Sequence, residues 1–241
     1  MNTAPQTQVD AAEISKFDAQ AHAFWDRAGA FKTLHDIDPL RLAYISERAP
    51  LAGASVADIG CGGGLLAEGL SRRGARVTAI DMATTMLDVA RLHAQSAGLA
   101  IDYRQQTVAE LAAASPAGFD VVCCMELIEH VPDAPALVAS LSLLLRPGGT
   151  LFISTISRTP KAFGLAIVAA EYVLGLVAKG THEYARLVRP AELAHYARAA
   201  GLELLDLSGM SYNPLTRQCS LGAAPDVNYL ACFRSASDPA A

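Results

Sequence analysis

The sequence predicts an α/β fold, a parallel sheet with helices on both faces. Two observations carry this. Apolar runs of strand character at Val56–Gly60, Arg76–Asp81, Ile101–Gln105, Phe119–Met125 and Thr150–Ile156 alternate with helical stretches at Leu65–Arg73, Thr84–Ala97, Val108–Ala114 and Ala134–Leu145. That rhythm suits parallel strands joined by crossover helices. The first run also ends in Gly60-Cys61-Gly62-Gly63-Gly64 and passes straight into a helix. A strand that ends in glycines and opens a helix lets a ligand approach the backbone closely. It also aims free N–H groups and the positive dipole end at that ligand.

Taken in order, residues 1–12 read as a disordered N-terminus and 13–235 as one domain, with a tail over 236–241. Within the domain, 13–52 reads as an N-terminal helical cap. Helical spacing over Ile14–Asp26 sets Phe17, Ala21 and Phe24 or Trp25 on one side, and Gly29 ends the run. Phe31–Asp38 reads as a mixed loop carrying His35, and Pro39 opens a helix over Leu40–Ala49, because proline suits a first turn. Arg146-Pro147-Gly148-Gly149 is a turn signal before the fifth strand. An apolar insertion or lid spans 160–190. Its core, Phe163–Ala178, is shorter than the ~20 residues that cross a bilayer and contains Glu171. It reads either as a buried lid helix or as an interfacial element flanked by Lys161 and Lys179, cations suited to anionic headgroups. A helix over Pro190–Ala200 follows. Leu202–Leu207 and Val227–Phe233 then form a hairpin-like strand pair with a long insertion between them.

Composition narrows the function. With 241 residues and 52% hydrophobic content, one sizeable core is expected and global disorder is excluded. A net charge of −5 argues against a nucleic-acid binder. The five cysteines, Cys123 and Cys124 being adjacent, read as reduced core thiols rather than a disulfide framework or zinc site. The polar N-terminus carries no signal peptide, so a cytoplasmic location is expected.

The glycine turn lacks the Lys-Ser or Lys-Thr of a phosphate loop. A dinucleotide site needs spaced glycines and an acid about twenty residues on, and Asp81 supplies the acid. The spacing fails, however, since Leu65 stands where the third fingerprint glycine would fall. Asp58 lies inside the strand, where a dinucleotide needs no acid and an amino-acid ammonium could use one. The pattern favours S-adenosyl-L-methionine.

At this point the chain resembles the class I S-adenosylmethionine-dependent methyltransferases. Asp58-Ile59-Gly60-Cys61-Gly62-Gly63-Gly64 matches their first motif, Asp81 the acid that holds the ribose hydroxyls, and Leu145-Arg146-Pro147-Gly148-Gly149 their post-helix turn. That resemblance implies a Rossmann-like seven-stranded sheet, mostly parallel with an antiparallel last strand. A closer resemblance lies outside these motifs. Phe24-Trp25-Asp26, Phe31-Lys32-x-Leu34-His35, Pro39-Leu40-Arg41, Met125-Glu126-x-x-Glu129-His130-Val131-Pro132, Lys179-Gly180-Thr181-His182, Tyr212-Asn213-Pro214 and Asp226-Val227-Asn228-Tyr229 are similar to the ubiquinone biosynthesis O-methyltransferase family. Asp38 departs from it, where asparagine is expected. Thr107 stands where many class I enzymes carry an aspartate near the adenine, which leaves that contact to backbone around 106–108. The resemblance implies methyl transfer to a phenolic or catechol hydroxyl of polyprenylated ubiquinone precursors, at both O-methylation steps. It implies that Arg41, Gly60, Asp81 and Met125 contact the cofactor, with Asp58, Gly62 and Met82 beside them. It also suggests a peripheral position at the inner face of the cytoplasmic membrane and a complex with other ubiquinone-synthesis enzymes.

A phenol with a pKa of about 10 must lose its proton during such a transfer. Glu126, Glu129 and His130 stand at i, i+3 and i+4, on one face if the segment turns helically. Two readings stay open. His130 is the general base with a glutamate orienting its ring and Glu126 in the catalytic set, or the three side chains hold a divalent ion such as Mg2+. His35 and His182 are candidates to line the acceptor pocket, whereas His22, His93 and His195 read as ordinary helix positions. Other functions compatible with the residues are methylation of a different small phenol and a non-catalytic cofactor-binding scaffold.

Overall fold

A computed structural model of the chain describes residues 10–165 and 183–236. Five strands, β1 (Ser55–Ile59), β2 (Arg76–Asp81), β3 (Asp102–Gln105), β4 (Phe119–Met125) and β5 (Leu145–Ile156), alternate with α3 (Leu65–Ser71), α4 (Thr84–Ser96), α5 (Val108–Ala114) and α6 (Ala134–Leu144). After a short turn α7 (Pro160–Ala162) come α8 (Pro190–Ala199), β6 (Leu202–Asn213), β7 (Gln218–Ala223) and β8 (Asn228–Ser235). The strands form one sheet in the order β3-β2-β1-β4-β5-β8-β6-β7. β1 to β5 pair in parallel, and β8 runs antiparallel between β5 and β6.

The sheet therefore has eight strands, not seven. The extra one is β7, formed by the insertion between β6 and β8 and paired antiparallel to the outer half of a β6 longer than expected. It is an edge strand rich in polar residues (Gln218-Cys219-Ser220-Leu221), which gives little alternation to detect. The turn signal before β5 appears as an irregularity in the β4–β5 register between Phe119 and Val121, opposite Leu145 and Thr150.

Strand periodicity splits the core in two. Val121 and Cys123 pack with Leu42, Leu66 and Leu87, while Val122 and Cys124 pack with Leu111, Leu137 and Leu193 on the opposite face. The adjacent cysteines thus belong to different layers. All five cysteines are free, and all but Cys219 are buried.

The N-terminal cap differs from expectation in two ways. The single helix predicted over Ile14–Asp26 is α1 (Ala11–Asp18) followed by a 3-10 turn at Ala21–Ala23. Asp10 caps α1, its Oδ1 accepting from the Ala12 N–H at 3.0 Å. At the other end the Asp18 carboxylate takes the Thr85 N–H of α4 at 2.8 Å, which draws the chain out of the helix. Second, α2 begins at Lys32 and runs to Arg48, with Pro39 inside it. The first turns form despite the proline because tertiary burial of His35, Ile37 and Asp38 anchors them. The apolar stretch Phe163–Ala178 falls mostly outside the described residues, as do Lys179 and His182. Among the described residues no helix is long and apolar enough to cross a membrane.

The cap is fastened to the glycine turn. Phe24, Phe31, Ala83 and Met86 form a separate small core. Trp25 Nε1 donates to the Gly63 carbonyl at 3.1 Å, and its ring stacks on His93 with centroids 3.4 Å apart. His93 Nδ1 meets the buried Glu68 carboxylate at 2.5 Å, so it is no ordinary helix position. The Phe24 ring lies so close to Gly63 that a Cβ there would sit 2.3 Å from it.

Gly63→Ala is therefore expected to overpack this contact, destabilising the fold by about 1–3 kcal/mol. Phe24→Leu in the same chain should recover part of the loss. Urea unfolding followed by fluorescence of Trp25, the lone tryptophan, reads both effects. An additive double variant would refute the contact.

Candidate functional site

A cavity of about 470 Å³ opens at the carboxyl ends of β1, β2 and β4. This is the edge at which open α/β sheets bind ligands. Arg41, Asp58, Gly60, Gly62, Asp81, Met82, Met125, Glu126 and His130 all line it, so the structure brings together the expected cofactor-binding and catalytic residues, but not Glu129 or His35.

Gly60 opens the turn at φ +73°, a conformation that L side chains rarely adopt, and a Cβ there would press on Leu127 at 3.0 Å. Asp81, at the end of β2, braces the turn. One of its oxygens accepts from the Gly62 N–H and the other from the Ala83 N–H, both at 2.8 Å. Burial raises its pKa, and those backbone donors pull it back. A carboxylate has about four acceptor positions, so a pair of ligand hydroxyls can still be taken.

Asp58 is buried on β1, and its Oδ2 has no hydrogen-bond partner. Its pKa is pushed up to about 8 by burial first and then by the charges of Asp38 and Asp81. Asp38, on α2, is raised to about 6 by burial, against the opposing pull of Arg41 and Arg73. Three acids thus face a cavity, and the Arg41 charge lowers the pKa of both Asp38 and Asp58. Arg41 lies one turn after Asp38 and is buried. Its Nη2 donates to Glu126 Oε1 at 2.5 Å, and its Nε has no partner. Gln106 also lines the cavity and has an unpartnered buried Nε2. The unsatisfied atoms on lining residues are a carboxylate oxygen, a guanidinium N–H, an amide N–H and the Thr33 hydroxyl. That set fits the ammonium and carboxylate of an amino acid joined to a nucleobase, the parts of S-adenosylmethionine.

Thr107, beside Gln106, is occupied otherwise. It is the N-cap of α5 in a reciprocal capping box with Glu110, which explains a threonine where an acid is common.

The segment after β4 is not a regular helix. Glu126 takes φ +52°, left-handed for a non-glycine residue, and a 3-10 turn covers Ile128–His130. Glu126 Oε1 accepts from Arg41 and also from Ser154 Oγ at 2.8 Å. Glu129 is not among the lining residues; its Oε2 accepts from Thr155 Oγ1 at 2.8 Å, and its carboxyl is also hydrogen-bonded to Glu126. Burial drives its pKa well above the carboxylate range, helped by the Glu126 charge. His130 Nδ1 lies 2.9 Å from Oε2 of Glu13, on α1. Glu13 is itself held below its usual pKa: burial opposes ionisation, but Lys16 and His130 outweigh it.

The sequence points to a glutamate of the same segment as the carboxylate beside this ring, and the structure supplies one from the N-terminal helix. The proposed metal set is not assembled either. Among the described residues no group of three or more His, Cys, Asp or Glu side chains is placed to hold an ion. After the break that follows β4, Glu126 meets Arg41, Glu129 meets Thr155 and Glu126, and His130 meets Glu13. His35 likewise leaves the acceptor pocket. It sits in the cap with Nε2 2.8 Å from the Phe24 carbonyl.

Glu13, Gln106 and the Arg41–Glu126 pair were beyond sequence reasoning. Only Gln106 carried a local signal, as the residue before a capping threonine at the end of β3.

Comparison with known proteins shows the family and the fold. A family model described as a methyltransferase domain matches residues 57–153. A ubiquinone biosynthesis O-methyltransferase of Pseudomonas aeruginosa is 51% identical over 224 residues, covering 93% of this chain and 97% of that one. The protein of the same name from Thiobacillus denitrificans is 52% identical over 228 residues, covering 95% and 98%. Among solved structures, magnesium protoporphyrin IX methyltransferase from Synechocystis PCC 6803 with bound SAH aligns with a TM-score of 0.67 at 19% identity over 92% of this chain and 94% of that one. The [4+2]-cyclase SpnF aligns at 0.62 with 18% identity, covering 83% and 81%. At these identities the structural likeness shows the fold, and a cyclase on the same fold shows that fold alone does not set the reaction.

Because burial holds the pKa of Asp58 in the folded state above its ordinary value of 3.8, the folded protein binds this proton more tightly than the unfolded chain. Stability then falls as pH rises from about 4 to about 8. Asp58→Asn, isosteric and uncharged, is expected to melt several degrees above the parent at pH 8, with the gap closing towards pH 4. Calorimetric melting across that range checks the sign, and a gap that widens towards low pH would be incompatible with it.

Proposed function

The chain belongs to the ubiquinone biosynthesis O-methyltransferase family, and from that premise we propose that it transfers a methyl group from S-adenosyl-L-methionine to a phenolic or catechol hydroxyl of polyprenylated ubiquinone precursors. The observation that carries this reading is the pairing within one cavity of an unpartnered Asp58 carboxyl oxygen and an unpartnered Arg41 Nε, with His130 on the same wall.

When bound, S-adenosylmethionine supplies an electrophilic methyl group on a sulfonium. The residues do the rest. Arg41 receives the methionine carboxylate, and Asp58 the ammonium, whose positive charge offsets the cost of ionising a buried acid. Asp81 accepts from the ribose, Gly60 and Gly62 permit close backbone approach, and Met82 and Met125 pack beside the ligand. Glu126 acts on Arg41: its carboxylate fixes one nitrogen of the guanidinium, and Ser154 fixes the carboxylate. Its role is positioning, which revises the catalytic assignment made from sequence. His130 takes the acceptor hydroxyl proton on Nε2 as the oxygen attacks. By holding acceptor and cofactor together, the cavity residues would supply further acceleration, for which about 7–11 kcal/mol is available in well-oriented systems.

The roles of Glu126 and His130 separate experimentally. His130→Gln is expected to reduce turnover by a factor of about 10²–10⁴ with cofactor affinity nearly intact. Glu126→Gln should instead weaken cofactor binding, because Arg41 loses its charged partner. Calorimetric titration with S-adenosylhomocysteine and a turnover assay on a prenylated catechol distinguish them. Lost cofactor binding in the histidine variant would sink the base assignment.

A polyprenyl tail also calls for access from a lipid surface, and we propose that the segment beginning at Phe163 provides it. Phe163 and Leu165 are among the few exposed large apolar side chains, 45% and 53% exposed, and they adjoin Lys161. Phe163→Ser with Leu165→Ser is expected to reduce flotation with anionic liposomes severalfold. Equal flotation of parent and variant would rule the surface out.

A further inference from the structure

α2 brings two opposite charges to the cavity. Asp38 and Arg41 stand one turn apart, which sets them side by side on the helix, and both are buried and line the cavity. Asp58 reaches the same cavity from β1. We propose that Asp38 is a cofactor-binding residue that shares the ammonium of the methionine moiety with Asp58, so that a pair of carboxylates holds one cation. The inference rests on the reading of the cavity as an S-adenosylmethionine site.

The open partners point to a ligand rather than to an internal ion pair. Among the described residues no hydrogen bond reaches the Asp38 carboxyl, and only the charges of Arg41 and Arg73 favour its ionisation. Neither arginine is given over to it. Arg41 donates through Nη2 to Glu126, and Arg73 donates through Nη1 to the Gly69 carbonyl. Asp58 keeps an unpartnered Oδ2 although it is buried, and Arg41 keeps an unpartnered Nε. After burial, the Asp38 charge does most to raise the pKa of Asp58, so each acid feels the other. Buried carboxylates that repel each other are costly until a cation joins them.

The arrangement suits an amino acid. Its ammonium and carboxylate sit on one carbon, and an acid one turn from an arginine offers one partner to each. An amide at position 38 could accept from an ammonium, but only a carboxylate adds charge to the hydrogen bond. A second role for Asp38 would be to hold Arg41 in place. That role would favour the ligand's carboxylate, whereas a direct role favours its ammonium, so the two respond to different ligand groups.

The test titrates three ligands calorimetrically into the full-length chain at pH 8, above the pKa of about 6 to which burial raises Asp38. S-adenosylhomocysteine carries both amino-acid charges. Its deaminated analogue, with a carboxypropyl group on sulfur, keeps only the carboxylate, and methylthioadenosine carries neither. Asp38→Asn removes the charge and keeps the shape. It is expected to weaken S-adenosylhomocysteine by about tenfold or more. Methylthioadenosine should stay within about twofold, and the deaminated analogue should bind as well as in the parent or tighter, because a repulsion on its carboxylate is lost. Adding Asp58→Asn should abolish the remaining preference for the amino ligand. Unchanged S-adenosylhomocysteine affinity in Asp38→Asn would overturn the proposal. So would equal weakening of S-adenosylhomocysteine and the deaminated analogue, the mark of an acid that acts only through Arg41. Weakening of all three ligands would show damage to the cavity and would likewise count against it. A parent that binds neither S-adenosylhomocysteine nor methylthioadenosine would overturn the cofactor reading itself, a failure distinct from these.

Discussion

The site depends on a charge imbalance that the chain cannot resolve alone. Asp58 is buried in the first strand with an unpartnered oxygen, and Asp38 and Asp81 add negative charge around it. In water-poor surroundings such a group stays protonated unless a cation arrives. The chain's own nearby cation, Arg41, is committed at one nitrogen to Glu126. The cavity thus favours a ligand that brings both a positive charge for the acids and a negative one for the guanidinium. An amino-acid zwitterion does this, and the glycine turn beneath it leaves room because a Cβ at Gly60 would press on Leu127. The instability of the empty site and the affinity of the filled one have the same cause.

That turn is itself held in place from above. Phe24 fills the space a side chain at Gly63 would need, Trp25 bonds the Gly63 carbonyl, and His93 with Glu68 backs the indole. The N-terminal cap is consequently more than a cover. α2 delivers Asp38 and Arg41 to the cavity, the 3-10 turn and its neighbours lock the loop, and α1 reaches the cavity through Glu13. Residues separated by 117 positions in sequence meet at His130.

The sheet was legible because its signals are local. Strand and helix periods, the glycine cluster and the two acids at strand ends each lie within a few residues, and they place Asp58, Gly60 and Asp81 correctly. Pro39 misled because a weak local preference was set against the burial of His35, Ile37 and Asp38, and burial prevailed. β7 was missed because an exposed edge strand needs no apolar alternation. The carboxylate beside His130 could not have been found at all. Spacing within Glu126–His130 offers two nearby glutamates, and only the left-handed backbone at Glu126 and the 3-10 turn after it redirect both of them.

That redirection has a chemical logic. Glu129, placed against Thr155 and driven towards its neutral form, adds little charge to the acceptor end. Glu126 spends its charge on Arg41 at the cofactor end. The carboxylate left to His130 then comes from outside the sheet, on a helix whose position depends on the cap and on Arg186. The glycine turn, Asp58 and Asp81 are built into strands and the turns that follow them, elements fixed by the core. The wall at His130 is built partly from a docked helix, held by side-chain contacts at Asp10, Glu13 and Asp18 and by the packing of Ile14 and Phe17. A hydrophobic acceptor with a long tail has to enter and leave at that end, and a wall made of a short helix can yield where a strand cannot.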